Sequence, residues 1–482
     1  MKGRFFILFA LKTQNIKGEK MVTWKGWLMW ALLVSAYTLF VINWGIAANL
    51  NRAVASNGEV IGTLPHFFPE TKGAISKTVN QAVNWGITIG RGIGSLLIGW
   101  LIVKLTHKYA TLISLVLALF AIPAPWMPDY WSFITFRTFF AIGGTTLIIL
   151  LQPVVSAYFS AKTKGKISIF TTWGYPLGTI ITLAPFLVSK DTTEALVRNW
   201  QIIYTVIGLL FLIPLITYAV LGQRFDTFQD FKEKQEKIKQ DFEAKGVKLE
   251  TPSALSLLKQ KETYIWILFY GGWLVAVVMP FIMARSNLPG LAQVQEANAD
   301  AIRRIITIWL IFFHVAIILG PYTVGLWNKW NVKRKPFIVA VTLSGVVLWA
   351  LAIVVFVYMV APLTAQGYNM GAAGWLFFIL GFLKGLLLWG IQGVFLNNPH
   401  EQEGSNPKKV GLQFSFIWGF GYFFFTFATI ILSQLADIKG QGAIIWAVFV
   451  TLFMLLAPIS WLFIKETKPN APILPKFDKK DK

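Results

Sequence analysis

Twelve apolar stretches, most of them 20 to 26 residues long, alternate along this chain with short polar and basic segments. They run over 27–49, 81–103, 109–127, 131–156, 167–188, 201–222, 263–284, 304–328, 336–360, 372–397, 409–434 and 442–464. A hydrocarbon core about 30 Å thick takes about 20 residues of helix to cross. Inside it every backbone N–H and C=O must be satisfied by the segment itself, which selects helices. The pattern therefore predicts an all-α membrane protein with twelve transmembrane helices. Phe5 to Leu11 is a shorter apolar patch suited to an interface.

Two connections are longer than the others. Residues 51–80 are polar and dotted with Gly and Pro, as suits either a passive cap or a lid. Residues 223–262 contain FQDFKEKQEKIKQDFEAKG. They read either as an amphipathic helix on the inner membrane surface or as a solvated charged linker. The expected organisation is an N-terminal segment (1–26), a six-helix bundle (27–222), the linker (223–262), a second six-helix bundle (263–464) and a tail (465–482).

Composition agrees with the pattern and narrows it. With 55% hydrophobic and only 14% charged residues, the chain is not an ordinary soluble domain. A net charge of +22 would suit a nucleic-acid binder, but the Lys and Arg residues sit between apolar runs and form no basic domain. With the N-terminus inside, and with Arg304 and Lys409 at the span edges counted with the adjoining segments, 32 of the 44 fall in cytoplasmic segments and 9 in outer ones. That bias predicts a plasma-membrane protein with both termini cytoplasmic. Cysteine is absent, and His66, His107, His314 and His400 lack metal-ligand spacing. No Walker motif or hydrolase triad occurs, so neither enzymatic chemistry nor a cofactor or metal is expected. The first apolar run is too long for a signal-peptide core.

The second stretch, NWGITIGRGIGSLLIGWLIVKLTHK, carries Arg91 deep in an apolar helix. Burying it in a bilayer costs about 2.5–3.5 kcal/mol on insertion scales. Asn84, Thr88, Arg91 and Ser95 share one helical face, a polar stripe suited to a water-filled cavity. The spans also hold Arg137, Lys384 and His314, whereas none of the 22 acidic residues lies within one.

The halves repeat. Arg137 precedes Gly143 by six residues, as Lys384 precedes Gly390; Trp173-Gly174 and Trp418-Gly419 each follow a basic segment; Gly94 and Gly99 match Gly320 and Gly325. The register pairs Arg137 with Lys384 and sets His314 level with Thr88. Parallel repeats of this kind place a solute site near the midplane between the halves. Cations from both halves, without protein counter-charge, would then grip a phosphate or carboxylate.

On these residues the chain resembles the major facilitator superfamily over essentially its whole length. GWLIVKLTHK (Gly99 to Lys108) and GLWNKWNVKR (Gly325 to Arg334) resemble the two copies of its loop motif. Arg137 with FFAIGGTT, NWQIIYTVIGLLF from Asn199, and IKETKP from Ile464 are similar to its fourth-span, sixth-span and C-terminal signatures. The resemblance implies two pseudo-symmetric six-helix bundles working by alternating access. Val103 and Lys329 stand where the motif usually has an acid, so its interhelical charge lock is expected to be weak or built differently.

The expected solute-binding residues are Arg91, Lys384, Arg137, His314, Asn84, Thr88, Tyr175, Tyr270, Gln392 and Tyr422. Each has a plainer reading: His314 as a hydrogen-bonded structural residue, Arg137 snorkelling toward the outer end, the aromatics as packing. The expected function is exchange or facilitated movement of a small anion such as a sugar phosphate, phosphate or organic anion. Organophosphate:phosphate antiporters are the nearest analogy. The expected partners are that solute and membrane lipid, with no nucleic acid, and the expected working unit is a monomer. The rivals are a sugar, amino-acid or drug transporter whose cations are structural, and a sensor on the same scaffold.

Overall fold

The computed structural model describes residues 24–159, 161–222, 240, 254–292, 299–365, 370–402 and 407–475. The linker expected at 223–262 therefore falls mostly outside the described residues, as does the apolar patch at 5–11. Twelve helices are long and apolar enough to cross a membrane: α1 (Trp24–Asn49), α2 (Ala82–Ile102), α3 (Lys104–Trp126), α4 (Tyr130–Val155), α5 (Ile167–Leu187), α6 (Trp200–Leu221), α7 (Lys261–Leu291), α8 (Ala299–Lys329), α9 (Lys335–Thr364), α10 (Gly371–Glu401), α11 (Lys409–Ala436) and α12 (Gly442–Trp461). Each expected span has its helix. The main difference is at the end of α7, which continues seven residues past the apolar run because Asn287 and Leu288 are buried against the protein.

Small residues bring α2, α4, α8 and α10 together within their halves. A Cβ on Gly94 would meet the Ile142 carbonyl oxygen at 2.8 Å, and one on Gly320 the Leu386 carbonyl oxygen at 2.7 Å. These two positions are equivalent in the repeat, and each lets a helix press on its partner's backbone. Between halves, α2 packs on α11 and α5 on α8. The repeat exchanges these two pairs, as a pseudo-two-fold arrangement requires. Of the twelve, α7 is the most enclosed, flanked by α11, α12 and α8.

The connection over 51–80 folds onto the first half. Ala53–Val54 pairs antiparallel with Val60–Ile61, and Phe67 packs on Tyr130, Phe133 and Trp200. Arg198 ties Glu59 at 2.9 Å, and Glu194 accepts the Ser56 amide at 2.9 Å. The connection is a pinned cap. It also reaches the other half, where the Lys77 amide and Nζ donate to Asp437 and to the Ala436 carbonyl at 2.9 and 2.8 Å. Lys77 is half-buried, and that desolvation holds its ammonium below the usual lysine range.

At the face carrying the chain ends, a charge lock joins α9, α10 and the tail. Arg334 is 1% exposed and donates through Nε and Nη2 to both oxygens of Glu401, at 3.2 and 2.8 Å. Its Nη1 donates to the Trp327 carbonyl at 2.9 Å. Thr467 and Lys468, in the IKETKP segment, also contact Glu401, while Glu466 accepts the Arg334 and Lys335 amides at the start of α9. The loop motif's missing acid is thus replaced by one from the end of α10. In the corresponding corner of the first half, His107 bridges the Leu150 carbonyl at 2.7 Å and the Tyr218 hydroxyl at 2.9 Å.

Candidate solute site on the seam between the halves

The polar stripe of α2 faces α11 and α1, on the boundary between the halves. Thr88 and Thr426 share a hydroxyl hydrogen bond at 2.6 Å. One turn on, Arg91 is 5% exposed and its Nη2 donates to the Tyr422 hydroxyl at 2.6 Å, with Tyr37 at 3.5 Å. Phe40, Trp44 and Tyr422 present rings to the guanidinium at 5.4, 5.2 and 4.6 Å. Such contacts favour a cation by about 2 kcal/mol or more each when desolvated. They leave its donors unmet, however: Nε and Nη1 are buried and make no hydrogen bond among the described residues. The hydroxyls of Tyr37, Tyr175, Tyr270 and Tyr422 all lie within electrostatic reach of this charge.

From this cluster a band of rings crosses the seam. Tyr270 stands edge-on to Tyr422 at 6.2 Å and stacks on Trp273 at 5.5 Å. Trp273 meets Trp389 at 5.5 Å, and Trp389 stacks on Tyr175 at 5.1 Å with the planes 8° apart. Tyr175 then meets His314 at 5.7 Å. Arg91 and His314 therefore occupy opposite ends of one aromatic band, on the two cross-half pairs α2–α11 and α8–α5. His314 Nδ1 lies 2.7 Å from the Leu310 carbonyl oxygen, an acceptor only, so Nδ1 carries the proton and donates it there. Its Nε2, the Tyr175 hydroxyl and the Trp389 and Trp418 indole N–H groups are buried without hydrogen bonds among the described residues.

The remaining expected residues lie elsewhere. Asn84 accepts from Trp44 Nε1 at 3.1 Å and donates to Gln81 at 2.7 Å, a turn and more from Arg91 toward the face opposite the chain ends. Gln392 is half-buried just past a break in α10 at Ile391. Arg137 is 1% exposed, which removes the snorkelling reading. Its Nη1 donates to Asn43 at 3.1 Å, and Tyr204 and Phe133 flank it at 5.1 and 5.6 Å, all within the first half. Lys384 is fully buried with Nζ 4.4 Å from the Trp349 ring and 5.3 Å from Phe313, inside the second half. Arg137 and Lys384 therefore each lie among residues of their own half. Helical register put these residues on inward-looking faces; Arg137 meets Tyr204 of α6 and Asn43 of α1, and Lys384 meets Trp349 of α9 and Phe313 of α8.

Sequence reasoning missed Tyr37, Phe40 and Trp44 of α1, which form the bed of Arg91. Their spacing of three and four residues was the available signal. It also placed Arg285 in a loop, whereas the extended α7 carries it to the seam, where it donates to Asn49 of α1.

Comparison with known proteins agrees with this architecture. The chain is 44% identical to an uncharacterized protein of Mesomycoplasma hyopneumoniae strain J, over 98% of this chain and 96% of that one. It is 26% identical to a major facilitator superfamily transporter of Mycoplasma pneumoniae, over 90% and 92%. Among solved structures, a D-xylose-proton symporter superposes with TM-score 0.61 at 15% identity, covering 92% of this chain and 99% of that one. The nucleoside transporter NupG gives 0.56 at 14% identity, over 91% and 100%. Residues 133–437 match the family described as Mycoplasma MFS transporter. With twelve spanning helices in the arrangement of those solved transporters, the chain belongs to the Mycoplasma branch of the major facilitator superfamily of transporters.

Proposed function

We propose that this transporter moves a small organic anion across the cell membrane by alternating access, with the anionic group held at Arg91. The observation that carries this reading is the half-satisfied guanidinium on the seam: buried, bedded on rings, approached by tyrosine hydroxyls and contacted by no carboxylate among the described residues. A carboxylate or phosphate would supply the acceptors that Nε and Nη1 lack, in bidentate fashion. The aromatic band beside it favours an anion with a flat or apolar body, such as a sugar phosphate, over a bare inorganic ion. The Lys and Arg bias orients the chain ends inward, so the face with the 51–80 cap is the outer one. Exchange of internal for external anion accounts for transport without a carboxylate to carry protons. Arg137 and Lys384 then serve as cations buried within their own halves.

The same band favours a second reading, a neutral ring-bearing solute, which is also the class named by the xylose and nucleoside transporters of similar fold. Counterflow in liposomes separates the two. The expected result is uptake of labelled glucose 6-phosphate that needs internal anion and ignores an imposed proton gradient. Gradient-driven uptake of D-xylose, with no uptake of the phosphate ester, would overturn the anion reading.

A further inference from the structure

A second cation stands on the seam, nearer the outer face, and nothing in the site around Arg91 uses it. Arg285 of α7 reaches across to α1, where it donates to the Asn49 side chain, and its guanidinium lies 5.0 Å from the Phe186 ring. Its Nε is buried without a hydrogen bond among the described residues. The nearby acid Asp300 is already engaged by Arg303 at 3.0 Å.

One turn inward from Arg285, Phe281 presses on Gly45 and meets the Trp44 ring at 6.0 Å. Trp44 is the ring that also beds Arg91 at 5.2 Å. Contacts therefore run from Arg285 along its own helix to Phe281, across to Trp44 and on to Arg91. At 1.5 Å per residue, Arg285 sits about 9 Å in from the end of α7, and Arg91 about 14 Å in from the start of α2.

We propose that Arg285 forms an outer recruitment subsite for the anionic group of the solute, linked through Phe281 and Trp44 to Arg91. The proposal rests on the anion reading of the seam. Arg285 has two alternative partners. In the closed seam it holds Asn49 and ties α7 to α1. When the seam opens, that bond parts and the freed guanidinium takes the incoming carboxylate or phosphate. An anion at the mouth thus competes with the closing contact, so its arrival favours opening.

The test uses the full chain in liposomes, with labelled glucose 6-phosphate presented separately from the outer and the inner face. Arg285→Gln should raise the outer-face KM about tenfold and leave the inner-face KM within about twofold. Arg285→Lys should recover most of the loss, and Asn49→Ala, which removes the closing contact but keeps the cation, should not raise the outer-face KM. An equal rise from both faces, no rise from the outer face, or a rise in Asn49→Ala matching that of Arg285→Gln would overturn the subsite while leaving Arg91 in place. Failure of the wild type to carry the phosphate ester, with D-xylose carried instead, would remove both the anion reading and this subsite. Recovery by Arg285→Lys also guards against a variant that has merely failed to fold.

Discussion

Two buried arginines in this transporter have opposite surroundings. Arg334, at the corner where α9, α10 and the tail meet, has a carboxylate gripped by two of its nitrogens and a carbonyl on the third. Arg91, on the seam, has rings beneath it, one close tyrosine hydroxyl and two nitrogens with no acceptor among the described residues. Burial is nearly equal, 1% against 5% exposed. A group whose needs are met inside the protein holds the protein together. A group whose needs are unmet is poised to meet something else, and its position on a surface that must part and re-form says what kind of event that is.

The strongest way to break the comparison is to remove the satisfied partner. Arg334→Ala leaves the Glu401 carboxylate facing desolvation with only Lys468, Thr467 and Asn397 beside it among the described residues. Breaking one side of a fully buried pair costs about 3–5 kcal/mol; Glu401 is partly exposed and keeps Lys468, so the loss here should be about 1–3 kcal/mol. Thermal unfolding of the detergent-purified protein should show a drop of that order, and Glu401→Gln a smaller one. A melting temperature unchanged by Arg334→Ala would mean that the lock contributes little.

Arg91→Gln should do the reverse. It removes a costly charge together with two hydrogen bonds, one of them long, and three ring contacts, effects of opposite sign, so stability should stay within about 1 kcal/mol of wild type. Transport should fall at least about tenfold, because the loss falls on the bound anion. A large loss of stability with transport per folded molecule intact would turn Arg91 into a second Arg334.

What the sequence could and could not reveal follows from the same contrast. Hydropathy made all twelve spans readable, because crossing a bilayer depends on length and apolarity, which are local. The helical face of Arg91 was readable too. That Arg137 and Lys384 meet Tyr204 and Trp349 was not, since a helical wheel gives a face and only packing gives the neighbour. Arg334 and Glu401 lie 67 positions apart with no pattern linking them. Arg285 was lost for a different reason: the apolar run ends before it, and burial of Asn287 and Leu288 keeps the helix going where hydropathy alone would stop it.

Glycines two residues apart on α2 sharpen the distinction at smaller scale. A Cβ at Gly90 would sit 2.5 Å from the Thr138 carbonyl oxygen and 2.7 Å from the Ala141 Cβ, backbone and near-backbone atoms of α4 that cannot yield. Gly90→Ala should cost about 1–3 kcal/mol by overpacking. At Gly92 the obstacle is the Phe423 ring of α11, 2.6 Å away across the seam. That obstacle recedes when the halves part. Gly92→Ala should therefore leave the melting temperature close to wild type and increase the labelling of a single cysteine introduced at Thr426, a clean reporter in a chain without cysteine. Equal destabilisation by both variants would mean that the α2–α11 contact is as permanent as α2–α4.

A third arginine, solvated rather than buried, sets the lower end of the scale. Arg198 holds Glu59 and Glu194 at the rim of the cap, where its hydrogen bond to Glu59 and the Ser56 amide on Glu194 keep both carboxyls below the usual range. Because the folded-state values lie below the unfolded ones, this contribution is fully present above about pH 4.3 and is lost as pH falls through the folded values. Both carboxylates are open to solvent, so screening keeps the effect small. Hydrogen exchange of the 53–61 hairpin should be unchanged between pH 7 and 5, after correction for intrinsic rates, and should accelerate below about pH 4. Arg198→Gln should give the fast exchange at every pH while leaving transport and global melting unaltered, because this arginine fastens only the cap. Loss of transport in that variant would show that the cap takes part in opening the seam through its contact at Lys77 and Asp437.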